Sequence, residues 1–210
     1  MKIVIFGSTG GTGRHLVTQA LAAGHAITAF ARTPAKVGVT HDRLRVAKGD
    51  VRDAAAVSAA IAGQDAIISA IGPPVGQPPG DLISAGVKNI LAGMAAHGVR
   101  RFVFESGIMV GEGRGLNFFF KFMMGIFRRM NHALYLDKVV AEAAIQATPI
   151  DWTIVRPVTL KEIPKVGNYK VGPDLALNLS KPMAQGDVAA CLLAVTVGDK
   201  YVREIVETGH

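Results

Sequence analysis

The sequence predicts an α/β fold: one domain built on a doubly wound, mainly parallel sheet flanked by helices. Three observations carry that expectation. Short apolar blocks recur in a strand-then-helix rhythm along the whole chain. The strand blocks are mostly apolar without alternation, as strands covered on both faces are. A glycine-rich turn follows the first block directly, at residues 7–13. With 210 residues, 50% of them hydrophobic and 19% charged, the chain suits one well-buried domain and is short for two.

Taken in order, strands are expected at 3–6, 26–31, 44–47, 66–70, 102–105 and 152–155. Helices are expected at 13–23, 53–61, 81–97 and 133–147. Gly24 and Gly98 stand where helix C-caps stand. Asp53 precedes an alanine-rich run as an N-cap does, and Asp187 is placed to do the same for a last helix. Alternating strands and helices imply right-handed crossovers. Irregular segments begin after residues 71, 107 and 157, and each follows a predicted strand. Loops leaving the carboxyl ends of strands border the ligand crevice of such sheets, so these three are expected to frame the substrate site.

Bulk properties narrow the partners. A net charge of +7 raises nucleic acid as a partner, yet the densest basic clusters are only Arg100-Arg101 and Arg128-Arg129, and aromatics are 6% of the chain. The expectation is therefore a field that favours small anionic ligands, with no nucleic acid partner. The single cysteine, Cys191, lies in an apolar stretch and reads as a core residue. No histidine keeps company with acids or cysteines at metal-ligand spacing, so no metal is expected. The most apolar later window, 118–127, contains Lys121 and is half the ~20 residues of a membrane span. With no secretory leader pattern at the start, a cytoplasmic protein without a membrane partner is expected.

The turn reads Gly7-Ser8-Thr9-Gly10-Gly11-Thr12-Gly13 between a strand and a helix. In that context it is a dinucleotide cradle of Rossmann type. Gly7 permits the tight turn, Gly10 the close approach of a pyrophosphate, and Gly13 close helix–sheet packing. The helix N-terminus then turns free N–H groups toward phosphate, with Ser8, Thr9 and Thr12 as further hydroxyl donors. The end of the second strand selects the nucleotide. An NAD site places a carboxylate there, whereas this chain has Arg32, 19 residues beyond Gly13, and then Lys36. A guanidinium and an ammonium match a 2′-phosphate, which points to NADP(H); the competing reading is two solvated surface charges. Asp50 and Val51 close the third strand, where they either meet adenine or form a turn into the next helix.

The run 2–13, with Gly49-Asp50-Val51, Gly63-Gln64-Asp65-Ala66, Lys88-Asn89-Ile90, Ala95 to Val99, Ser106, Lys138-Val139-Val140 and Arg156-Pro157, resembles the atypical short-chain dehydrogenase/reductases. The resemblance is to their NAD(P)H-binding, NmrA-like group and its biliverdin reductase B or flavin reductase branch. It implies a single Rossmann domain that uses NADPH to reduce flavins, and sometimes tetrapyrroles or quinones. By position, Gly7, Thr9, Gly10, Gly11 and Thr12 would line the pyrophosphate, Arg32 and Lys36 the 2′-phosphate, and Asp50 and Val51 the adenine. Ile71 and Gly72 would pass the ribose, and Ser106 and Pro157 would border the nicotinamide.

Two departures limit the carry-over. The usual Tyr-x-x-x-Lys pair is replaced by Tyr135-Leu136-Asp137-Lys138, one residue short, so Tyr135 is not assigned as an acid. The branch's histidine after the proline is Val158 here, which weighs against tetrapyrroles more than against flavins.

The chemistry left is hydride transfer to a flavin or quinone-like acceptor, which needs little acid–base help. Ser106 is the one catalytic candidate, by hydrogen bonding the carboxamide or the acceptor; otherwise it satisfies a strand end. His132 is the histidine nearest the expected acceptor wall. Residues 116–127 hold five phenylalanines and two methionines. They read as a helix packed on the core, or else as a lid over a flat ring or a dimer surface. A monomer and a homodimer are both compatible with the sequence. The alternative function is an NmrA-like redox sensor that binds NADP(H) and acts through a protein partner. An epimerase or dehydratase fails on length, because little chain remains after Trp152 for a second lobe.

Overall fold

The computed structural model describes residues 1–73, 80–112 and 118–210. In chain order its elements are β1 (Lys2–Phe6), α1 (Gly11–Ala22), β2 (Ala26–Ala31), a 3-10 turn η1 (Pro34–Val37), β3 (Leu44–Lys48), α2 (Ala54–Ile61), β4 (Ala66–Ser69) and α3 (Leu82–His97). There follow β5 (Arg101–Glu105), a 3-10 turn η2 (Ile108–Val110), α4 (Phe118–Met130), α5 (His132–Gln146), β6 (Asp151–Pro157), β7 (Leu160–Lys161), β8 (Lys170–Gly172), β9 (Met183–Ala184), α6 (Gln185–Val197) and β10 (Glu204–Gly209).

Eight strands form one sheet in the order β3-β2-β1-β4-β5-β6-β10-β8, parallel throughout except for β8, which runs antiparallel to β10. The first six are the doubly wound Rossmann order that the sequence predicts. Both faces are covered. Ile3 and Ile5 of β1 join the cluster under α1 and α6, while Val4 and Phe6 join the one under α2 and α3. That two-sided burial is why the central strands read as unbroken apolar blocks. β3 differs: it is the edge strand, Arg45 and Val46 are exposed, and its apolar run is only half buried.

The caps hold at Asp53, whose carboxylate accepts from the N–H groups of Ala55 and Ala56 at 3.0 and 3.1 Å. Gly24 and Gly98 take the left-handed conformation past their helices, at φ 88° and 68°. Asp187 does not cap α6. It sits inside the first turn, fully buried, and accepts from the N–H groups of Val166 and Gly167, both at 2.9 Å. It therefore pins a distant loop instead of starting a helix.

The phenylalanine-rich stretch departs most from expectation. Its residues 116 and 117 lie outside the described residues. From Phe118 onward it is a helix, but of α4 only Met124 is buried, and Phe118 is 84% exposed. It is not core.

Candidate functional site

The strand order reverses at β1, which pairs with β2 on one side and β4 on the other. A doubly wound sheet leaves its ligand crevice at the carboxyl ends of the strands at such a point. A cleft of about 490 Å³ opens there.

Its floor is the glycine turn. Gly7 leaves β1 at φ 82°, and a Cβ on it would stand 2.3 Å from the Ala70 carbonyl oxygen. A Cβ on Gly13 would stand 2.0 Å from the Gly7 oxygen, so the start of α1 can sit on the turn only without one. Gly10 caps α1 with no side-chain hydrogen bond, leaving the first-turn N–H groups for phosphate oxygens. These features fit a dinucleotide pyrophosphate. Ser8 is not a phosphate donor, however. It is fully buried and donates to the Phe30 carbonyl at 2.8 Å, tying the turn to β2. Thr12 donates to Glu105 Oε1 at 3.1 Å.

At one end the cleft is bordered by Arg32, Lys36, Gly49, Val51, Ile71 and Gly72. Arg32 follows β2 and Lys36 stands in η1, both exposed at the mouth, and among the described residues no carboxylate lines this end. Asp50 lies beside the cleft and does not line it; its Oδ1 accepts from the Arg52 N–H at 2.9 Å, the turn-forming arrangement. Val51 is held by its carbonyl, which accepts from Asn89 Nδ2 at 2.9 Å.

The other end is lined by Thr12, Glu105, Lys138 and Gln185. The Lys138 ammonium donates to the Ser106 carbonyl. Burial pushes Lys138 below the ordinary lysine range, opposed by the charges of Glu105, Glu142 and Asp137. Burial pushes Glu105 up, opposed by Lys138 and by the Thr12 hydrogen bond. The Gln185 side-chain carbonyl is buried with no hydrogen-bond partner among the described residues.

Ser106, 3% exposed, does not line the cleft. Its hydroxyl donates to Glu142 Oε1 at 2.5 Å, and Glu142 is in turn clasped by Arg156, at 2.5 and 3.1 Å. Its carbonyl, not its hydroxyl, reaches the site through Lys138. Pro157 ends β6 away from the lining residues, and Gly13 lies beneath the turn. Val158 is buried at 2%. Tyr135 stands elsewhere, under the Arg128 guanidinium at 5.3 Å, and shares a separate depression with His132 and Arg129.

Sequence reasoning missed Glu105, Lys138 and Gln185 as site residues. The signal for Lys138 was present in the shortened Tyr-x-x-Lys spacing: the lysine reaches the cleft and the tyrosine does not. Asp137 between them explains the register. It is buried and accepts from the N–H groups of Ile83 and Ser84 at 2.8 and 2.9 Å, capping α3 from α5.

A glycine cradle at the switch point of this sheet defines a nucleotide-binding Rossmann fold. More particularly, the chain belongs to the NAD(P)H-binding family, whose model matches residues 7–197. It is similar to a chloroplastic protein of Arabidopsis thaliana, 31% identical over 216 residues that span 97% of this chain and 72% of that one. Among solved structures it is similar to the oxidoreductase ylbE of Lactococcus lactis, with a TM-score of 0.81 and 22% identity over 100% of this chain and 91% of that one. The anaerobilin reductase ChuY of Escherichia coli O157:H7 also gives 0.81, at 19% identity over 100% and 97%. A short-chain dehydrogenase/reductase of Veillonella parvula, solved with NADP, gives 0.81 at 16% identity over 100% and 94%. The cofactor is NAD(P)H.

Proposed function

We propose that the protein is an NADPH-dependent reductase that passes hydride to a flavin or quinone-like acceptor. One observation carries the reading: one cleft has, among the described residues, two cations and no carboxylate at one end, and a lysine–glutamate pair at the other. Bound NADPH would supply the hydride. The protein's residues do the rest. The α1 N-terminus and the glycine turn hold the pyrophosphate, and Arg32 and Lys36 take the 2′-phosphate by charge-assisted hydrogen bonds. The unpartnered Gln185 carbonyl is placed to accept from an amide N–H, which orients a carboxamide. Lys138 Nζ donates to the Ser106 carbonyl at this end of the cleft, and in its protonated form it would hydrogen-bond or protonate the acceptor atom that gains charge as hydride arrives. Ser106 and Glu142 position that lysine.

The reductase among the similar structures supports this class of chemistry. NADPH and NADH titrations, followed by NADPH oxidation with FMN, FAD, riboflavin and a quinone, test the proposal. NADPH should bind more tightly than NADH. Arg32→Ala should weaken NADPH binding about tenfold or more, with NADH little changed. Equal affinities in the wild type would sink the 2′-phosphate assignment. Tight binding without turnover on every acceptor would replace the reductase by the redox-sensor reading.

A further inference from the structure

α4 presents an apolar face to solvent that the nucleotide cleft does not use. Phe118, Phe119, Phe122 and Met130 are 84, 62, 59 and 78% exposed, and Met123, Ile126 and Phe127 are 40% or more. Phe119, Met123 and Phe127 also border a groove of about 310 Å³ shared with Ile108, Met109 and Leu179 of the body, and Phe118, Phe122, Ile126 and Met130 lie outside it. Exposed apolar groups gathered in this way mark an interaction surface. At 100° per residue, Phe118, Phe122, Ile126, Phe119, Met130, Met123 and Phe127 fall in sequence around one half of the helix. Met124 points the other way, into the body. Arg128 fastens that inner side, its guanidinium donating to the carbonyls of Met109, at 2.6 Å, and Gly111. On the same projection Arg129 falls between Phe118 and Phe122, within the apolar half, and Lys121 falls beyond Phe118 toward Arg128; both are exposed. No Asp or Glu occurs in α4, nor in α5 before Asp137.

The charge decides what covers this face. A second copy meeting this half across a two-fold axis would close over Arg129, with no α4 carboxylate to answer its charge. An anionic surface answers both cations and receives the phenylalanines at once. We infer that α4 is an interfacial helix that lies in the surface of a bilayer containing anionic lipid. Phenylalanine and isoleucine enter the acyl boundary while lysine and arginine stay with the headgroups. The expectation of no membrane partner rested on the length of apolar runs. That is the criterion for a span, and no described helix is long and apolar enough to cross a membrane. A helix lying in the surface is not subject to it.

Vesicle flotation of the full chain tests this, with phosphatidylglycerol mixed into phosphatidylcholine against phosphatidylcholine alone. The chain should float with the anionic vesicles, less so at high salt, and weakly with neutral ones. Lys121→Ala with Arg129→Ala should reduce binding about 25-fold, at about fivefold per basic residue. Phe119→Ser with Phe122→Ser should abolish it. Both double variants should keep wild-type NADPH affinity, which shows that they fold. A wild type that stays with the pellet, or variants that float equally well, would overturn the inference. So would a dimer in sedimentation that Phe122→Ser dissociates, with no flotation: the occupant would then be a second copy.

Discussion

Residues 1–106 and residues 107–210 build the site in different ways. The first half makes the phosphate cradle from backbone, a turn without Cβ atoms and a helix N-terminus, and its strand ends deliver Arg32, Val51, Ile71 and Glu105. The second half contributes side chains, Lys138 and Gln185, whose positions depend on contacts far away in sequence. The first half also spends its aromatics inside, with Phe6, Phe102 and Phe104 fully buried, whereas α4 sets most of its own outside. A site made of backbone depends on local spacing; one made of side chains depends on tertiary closure.

The largest effect should come from filling the backbone cradle. Gly13→Val puts a Cβ 2.0 Å from the Gly7 oxygen and 2.9 Å from the Ser8 Cα, and backbone cannot step aside as a side chain does. It should cost about 3 kcal/mol of stability and abolish NADPH binding, read by denaturant melts and cofactor titration. Retention of both would show that the turn is not the cradle. Phe104→Ala, at 0% exposure in β5, comes next, at about 3–5 kcal/mol in the same melts.

The same contrast governs what could be read in advance. β1, β2 and β4 to β6 are legible because two-sided burial demands unbroken apolar runs. β10 is not, because Glu204 and Glu207 bracket Ile205 and Val206 and leave an apolar run of two. Burial pushes Glu207 above the ordinary carboxylate range, opposed by the Leu175 N–H, which donates to it at 3.0 Å, and by the Arg156 charge. The Gly7–Gly13 turn and the two cations after β2 stand at spacings that physics fixes locally. Gln185 carries no such mark. Lys138 enters the cleft because Asp137 beside it caps a helix 53 and 54 residues away. α4 misleads for the opposite reason: apolar composition shows that a face avoids water, and says nothing about which surface covers it.

Lys138 tests the side-chain half. Lys138→Met should lower kcat about a hundredfold with NADPH affinity little changed, since the loss falls at the acceptor end. The pH profile sharpens the assignment. In the proposed reductase, protonated Lys138 is the working form, and burial lowers its value from the ordinary 10.5. Activity should therefore fall as pH rises through that depressed value. Glu105→Gln removes the charge that most opposes the effect of burial on Lys138, so the alkaline limb should move to still lower pH. Between the folded and unfolded values the unfolded chain binds more protons, so this group's contribution to stability rises with pH. An unmoved limb in Glu105→Gln would separate the lysine from the chemistry.

The smallest effect belongs to α4. Phe122 is 59% exposed, so Phe122→Ala removes a ring that water already surrounds over most of its area. The cost to stability should stay within about 0.5 kcal/mol, against several for Phe104→Ala. A melt of the two variants side by side measures the contrast directly. A loss near that of Phe104 would mean that α4 packs on the body in solution, and both the comparison and the lipid-facing helix would fail together. A small loss with NADPH affinity intact leaves the ring with no task in folding or cofactor binding. Its exposure is then a standing cost in water, of the kind that a surface outside the molecule would relieve.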